Sequence, residues 1–420
     1  MKKIFLLAAT LLVALGLKAQ TCEKSLPCGG YVKPGIEVLR DNGFKELKGK
    51  RVGLVTNPTG VDSDLKSDID ILFNAKGVKL VALYAPEHGV RGNIYAGDHV
   101  ADAKDSATGL PVYSIYGKNR KPSPEMLKGI DVLVFDIQDI GCRSFTFVST
   151  LGLIMEAAAE NNIEVVVLDR PNPLGGERVE GNLAEDGFIS FVSQFKIPYL
   201  YGLTLGELAR LLNGEKMLKD GVQCKLTVIP MKGWKRNMLY ADTKLPWLLP
   251  SPHVPQVDNS LYYPVSGIMG ELGYISEGVG YTLPFQLFVA DWIEAQEFAR
   301  RMNALNLPGL AFRPIYVTPF YGAKKGLNCQ GVQTFIKDYK KARLVEVQFY
   351  VMQVLAEMYP DKKTFENCNQ KRFRMFDLVS GSDYIRKNFS KNYKWSDVKA
   401  YFEKDEAAFK ELSKKYYLYD

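Results

Sequence analysis

Several turns in this sequence collect the residue types that carry acid–base and hydrogen-bonding chemistry. Glu87-His88-Gly89 sets a carboxyl beside an imidazole directly after an apolar run. A carboxyl at the end of a buried strand is partly desolvated, which raises its pKa and suits it to give up a proton; His88 beside it could tune that carboxyl or hold a hydroxyl. Asp136, Gln138, Asp139 and Arg143 form a second dense group. Their planar donors and acceptors fit the hydroxyls of a sugar, and Asp136 adds a candidate catalytic carboxylate. Arg143 could clamp a ligand carboxylate, or simply pair with Asp139. Asp169-Arg170-Pro171-Asn172-Pro173 is a turn stiffened by two prolines that presents Arg170 and Asn172, with Asp169 reading at least as well as a cap. Glu277, in Ser276-Glu277-Gly278-Val279-Gly280, is a carboxyl on a glycine-bearing loop and could complete a two-carboxylate pair with Glu87. Thr204-x-x-Glu207 before an apolar run is a capping box, so Glu207 is assigned to helix initiation, while Tyr201 just ahead of it can face a crevice.

These groups need a scaffold, and the pattern supplies one. Short apolar runs at 51–56, 79–84, 131–135 and 164–168 each end at once in a polar turn carrying Asn57, Glu87-His88, Asp136 to Asp139, or Asp169 to Asn172. Continuous Val, Leu and Ile runs mean strands buried on both faces, hence a parallel sheet covered by helices. In such sheets ligands bind outside the carboxyl ends of the strands, where these turns lie. Helices are expected at 68–75, 151–161, 204–212, 344–358 and 398–416, and a last strand at 225–229. The segment 241–290, rich in Pro, Gly and aromatics, reads as loops. The expected fold is α/β: a Rossmann-like parallel-sheet domain at 31–240 and a smaller α+β domain at 241–420 that completes the cleft.

The first residues read as a secretory leader. Lys2 and Lys3 precede an apolar run at 4–17, and Ala19 offers a cleavage point. Export to the periplasm or outside the cell is therefore expected, with a lipid anchor at Cys22 the lesser alternative. The formal charge is +7; Lys2, Lys3 and Lys18 fall in a leader without acids, leaving 51 basic against 47 acidic residues, or +4. That mixed surface excludes a nucleic-acid partner, and no later stretch could span a membrane. Six cysteines in an exported chain could pair, Cys22 with Cys28 first and Cys329 with Cys368 next, while Cys142 and Cys224 read as buried thiols. No GxGxxG, P-loop or GxSxG occurs, and neither a metal nor a cofactor is expected.

The stretches APEHGVRG (85–92), TGLPVYSIYG (108–117), DVLVFDIQDIGCRSFTF (131–147), VVVLDRPNPLGG (165–176), YGLTLGELARLLN (201–213), PSPHVP (250–255), SEGVGYTLPF (276–285) and FDLVSG (376–381) resemble the DUF1343 family, which includes the NamZ-like exo-β-N-acetylmuramidases. The resemblance runs from about residue 35 to the C-terminus. It implies a glycosidase releasing terminal N-acetylmuramic acid from peptidoglycan fragments, acting in the cleft between the two domains. It implies Glu87 as acid, with Glu277 or an aspartate of the 136–139 segment as base or nucleophile, and Arg143 or Arg170 on the lactyl carboxylate. The sequence departs from the family pattern at Val279, Tyr281, Leu200-Tyr201, His253, Phe145 and Phe147.

Overall fold

The computed structural model describes residues 31–92, 103–117 and 119–420. The expected leader, Cys22, Cys28 and His99 lie outside the described residues. The first part of the chain alternates strand and helix: α1 (Gly35–Asp41), β1 (Arg51–Thr56), α2 (Asp68–Phe73), β2 (Lys79–Ala85), β3 (Ala103–Lys104), β4 (Pro111–Ser114), β5 (Val132–Asp136), α3 (Phe147–Glu160), β6 (Glu164–Leu168), α4 (Leu205–Gly214) and β7 (Lys225–Ile229). The strands form one sheet in the order β3-β4-β2-β1-β5-β6-β7, parallel throughout except for the short β3 against β4.

Both central strands β5 and β6 are buried along their whole length, which is why they read as unbroken Val and Leu. One face carries α1 and α2 through Ile36, Leu39, Ile69 and Leu72. The other carries α3 and α4 through Leu151, Ile154, Leu208 and Leu211. The α4 capping box forms as the sequence predicts: the Thr204 hydroxyl accepts from the Glu207 amide, and the Glu207 carboxylate accepts from the Thr204 amide. Glu207 also holds Arg236 in a buried ion pair.

The second domain contains α5 (Val257–Gly270), β8 (Leu287–Ala290), α6 (Ala295–Ala304), β9 (Leu310–Val317), β10 (Cys329–Ile336), α7 (Val347–Met358), α8 (Thr364–Asn367), α9 (Phe373–Ser380), α10 (Tyr384–Asn392), α11 (Ser396–Glu403) and α12 (Glu406–Ser413). Its strands form an antiparallel sheet in the order β8-β10-β9. Three expectations are corrected here. The 241–290 segment is not all loop: α5 forms with Pro264 inside it, and Gln348 of α7 donates to the Pro264 carbonyl. The C-terminal helix is broken into α11 and α12. At the break Asp405 and Glu406 accept from the backbone amides of Leu183 and Gly181, contacts a continuous helix would turn elsewhere. Cys329 and Cys368 are free thiols, because Cys329 packs with Leu287 and Ile315 while Cys368 belongs to the helical core. Cys142 and Cys224 are also free and buried.

Beneath the carboxyl ends of β1, β5 and β6 lies a buried ion pair. Arg170 donates to both oxygens of Asp136, at 2.5 and 2.9 Å, and to the Val61 carbonyl. The Thr56 hydroxyl bridges Asp68 to the Asp136 carbonyl. Removing one member strands a charge in the interior. Arg170→Met is therefore expected to cost about 3–5 kcal/mol of stability, read as a lowered urea midpoint at unchanged m-value.

Candidate active site

Glu87 and His88 follow β2 in a tight turn that places His88 at φ 72° and Gly89 at φ 75°, both left-handed. The Tyr116 hydroxyl, just past β4, donates to Glu87 Oε1 at 2.8 Å, and the Thr146 hydroxyl, at the start of α3, donates to Oε2 at 3.1 Å. Three elements thus aim one carboxyl. It faces a cavity of about 670 Å³ whose lining includes Glu87, His88, Ser144 to Phe147, His253, Tyr263, Glu271, Glu277 and Arg372. Tyr263 crosses Phe145 and Phe285 edge-on at 5.8 and 4.9 Å, giving that wall its aromatic character.

Glu277 enters from the second domain. Ser276 exchanges backbone hydrogen bonds with Val289 of β8, both 3.0 Å, which fixes where Glu277 starts. Gly278 then turns at φ 95°, where a Cβ would stand 2.1 Å from the Leu283 carbonyl oxygen. Gly270, the last residue of α5, leaves the space that the Glu277 side chain occupies: a Cβ there would sit 3.1 Å from Glu277 Cδ. Burial pushes the Glu277 carboxyl up to about 7, with Glu271 adding to the rise and Arg372 opposing it. Glu271 is raised as well, again by burial. Burial lowers His253, and His88 nearby lowers it further against the opposing pull of Glu87.

The other residues expected at the site are placed differently. Asp136 is fully buried and both its oxygens accept from Arg170, and neither residue lines the cavity. Arg143 neither meets a carboxylate nor pairs with Asp139. It is buried to 1 % exposure and donates to the carbonyls of Asn182, Ile197 and Val379 and to Ser193 Oγ. Asp139 accepts from the Tyr201 hydroxyl and the Gly141 amide, and its burial raises it to about 7. Asn172 accepts from the Leu174 amide and donates to the Leu203 carbonyl. Gln138 donates to the carbonyls of Asp139 and Pro171, and Asn57 accepts from Thr59. The crevice where Gln138 and Arg170 meet holds only about 10 Å³, room for about one water. Of the expected residues, then, Glu87, His88 and Glu277 share one cavity, and the rest do not line it. Sequence reasoning missed Tyr116, which follows a strand only four residues long, and Glu271 and Arg372 of the second domain, which sit in no recognisable local motif. Among the described residues no group of three or more His, Cys, Asp or Glu is arranged to hold a metal.

A sugar-sized cavity with carboxyl groups brought from two independent segments is the arrangement glycoside hydrolases use. The chain belongs to the exo-β-N-acetylmuramidase NamZ family: the N-terminal family model matches residues 52–258 and the C-terminal model residues 261–419. It is 43% identical over 402 residues to the peptidoglycan β-N-acetylmuramidase NamZ of Bacillus subtilis (strain 168), covering 96% of this chain and 94% of that one. Two crystal structures of DUF1343 family proteins from Bacteroides fragilis NCTC 9343 are similar. One is 60% identical with a TM-score of 0.90, the other 29% identical with a TM-score of 0.73, and each match covers 93% of this chain and 99% of the other.

Two outcomes follow from the geometry. Asp139 binds its proton more tightly folded than unfolded, so it contributes stability that is present below the unfolded carboxyl pKa and lost as pH rises towards about 7. Asp139→Asn should flatten that decline in a pH series of urea midpoints. Arg143→Met leaves three buried carbonyls without a donor and is expected to cost about 3 kcal/mol or more, by the same measurement.

Proposed function

We propose that this protein is an exo-acting glycosidase that releases terminal N-acetylmuramic acid from peptidoglycan fragments, with Glu87 and Glu277 as its catalytic pair. The observation that carries the reading is that these two carboxyls, from separate domains, face one cavity while burial holds Glu277 near neutrality. The extent of the match to the Bacillus subtilis muramidase supports the substrate class. The leader at 1–19 would deliver the enzyme to the compartment where such fragments arise.

The physical setting favours a division of roles opposite to the one implied by resemblance. Glu277, protonated up to about pH 7, is suited to give its proton to the glycosidic oxygen as the C1–O bond breaks and the leaving sugar departs as an alcohol. Glu87, whose two oxygens each accept from a hydroxyl, is held to direct an electron pair at the opposite side, onto C1 or onto a water that it deprotonates. The anomer first released, read by NMR, separates those two routes. Since Arg143 and Arg170 are engaged elsewhere, the lactyl carboxylate falls to Arg372, the one Arg or Lys lining the cavity among the described residues. Its Nε is fixed on the Glu271 carbonyl at 2.5 Å.

Glu87→Gln and Glu277→Gln are each expected to lower kcat on an N-acetylmuramyl–N-acetylglucosamine disaccharide by about 10²–10⁴-fold. Wild-type kcat should fall as pH rises through about 7, because the acid is then lost, and that limb should vanish from the residual activity of Glu277→Gln. Equal rates for wild type and both variants would remove the pair from the mechanism.

A further inference from the structure

Beside the cavity mouth, three aromatic rings continue outward from the wall. His253, which lines the cavity, stacks on Tyr321 with centroids 6.0 Å apart and planes 24° from parallel. Tyr321 adjoins Phe320 at 5.6 Å, and Phe320 adjoins Tyr281 at 6.1 Å. Phe320 is 56% exposed on a tightly held loop. The loop between β9 and β10 that carries Phe320 and Tyr321 is bolted to the loop that carries Glu277. The Phe320 amide donates to the Gly280 carbonyl at 2.8 Å, and Gly280, at φ 99°, lies so close beneath that a Cβ would be 1.9 Å from the Tyr321 carbonyl oxygen. Gly322 sits over the Val279 carbonyl in the same way, and the Gly326 amide closes the loop on the Pro319 carbonyl at 2.7 Å.

A backbone this constrained presents an exposed ring already in its bound position, so little ordering entropy opposes binding. The negative face of an aromatic ring attracts the axial C–H groups on one side of a pyranose, while the sugar hydroxyls stay in water at the edge. The ledge begins at the cavity wall and is mounted on the segment bearing a proposed catalytic carboxyl. Its position therefore matches the sugar beyond the bond being cleaved rather than the sugar enclosed in the cavity.

We propose that Phe320, with Tyr281 and Tyr321, forms a stacking subsite for the N-acetylhexosamine ring on the leaving side of the scissile bond. This rests on the glycosidase reading above. The test compares wild type with Phe320→Ala and Phe320→Trp on two substrates: the N-acetylmuramyl–N-acetylglucosamine disaccharide and methyl β-N-acetylmuramide, which has no second ring. Phe320→Ala should raise KM for the disaccharide up to about tenfold, leave the methyl glycoside unchanged, and be rescued by Phe320→Trp. Equal effects on both substrates, or none on either, would overturn the subsite. Should wild type cleave neither, the glycosidase reading fails, and calorimetric Kd values for the disaccharide still decide the subsite: equal values for wild type and Phe320→Ala refute it. Sedimentation that shows a wild-type dimer dissociated by Phe320→Ala would instead assign the ledge to a second copy of the chain.

Discussion

The structure depends on one guanidinium with no anionic partner among the described residues. Arg143 reaches from the turn after β5 into the interior and donates to three carbonyls and a hydroxyl. The carbonyls belong to two stretches of the connection that follows β6 and to α9 of the second domain, so a single side chain ties the sheet rim to the C-terminal helices. The fit is close: a Cβ on Gly381 would lie 2.7 Å from Arg143 Nη2. Burial without a carboxylate lowers the arginine to about 10, and the carbonyl dipoles compensate part of the lost hydration. Ser144 to Phe147, the next residues along, line the cavity because this anchor precedes them. The arginine that resembles a ligand clamp is thus what holds the clamp's frame.

Desolvation acts on several acids but has a chemical consequence at few. Asp139, Asp169 and Glu277 are all raised chiefly by burial, to about 7, about 6 and about 7. Asp169 is enclosed by donors from Thr204, Gly206 and Tyr419, and so fastens the C-terminal tail to α4 and the β6 turn. Asp139 is likewise closed in by Tyr201. Of the three, only Glu277 lines the cavity, and Gly270 beside it leaves the space that its side chain occupies. A raised pKa marks a candidate acid here only when joined to access.

The large cavity is displaced from the crevice at the carboxyl rim of the parallel sheet. Where β1 and β5 part, the Asp136–Arg170 pair and the amide of Gln138 close the crevice to about 10 Å³. The open cavity lies to one side, walled by the turn after β2, the start of α3, and the second domain. The polar turns after β5 and β6 share the rim with the turn after β2, but only the latter places its acid, Glu87, on the cavity.

Periodicity and local chemistry alone determined the strands 51–56, 164–168 and 225–229, the capping box at Thr204, and the gathering of polar turns at one rim. These features arise from contacts a few residues apart, or from burial on both faces, which marks every residue of a strand. Glu87, His88 and Glu277 were legible as candidates for the same reason: an acid beside glycine in a tight turn is a local signal. The helix over Pro264 was not, since its tolerance comes from packing and from Gln348 in α7. Nor was the division of the charged residues into wall and site. Arg143, Arg170 and Arg372 are alike as residue types, and what distinguishes them is whether carbonyls or a carboxylate from distant segments already take up their donors. That is a property of three-dimensional enclosure, because the desolvation that engages a charge inside the fold and the opening that frees one for a ligand are both set by chain segments hundreds of residues apart.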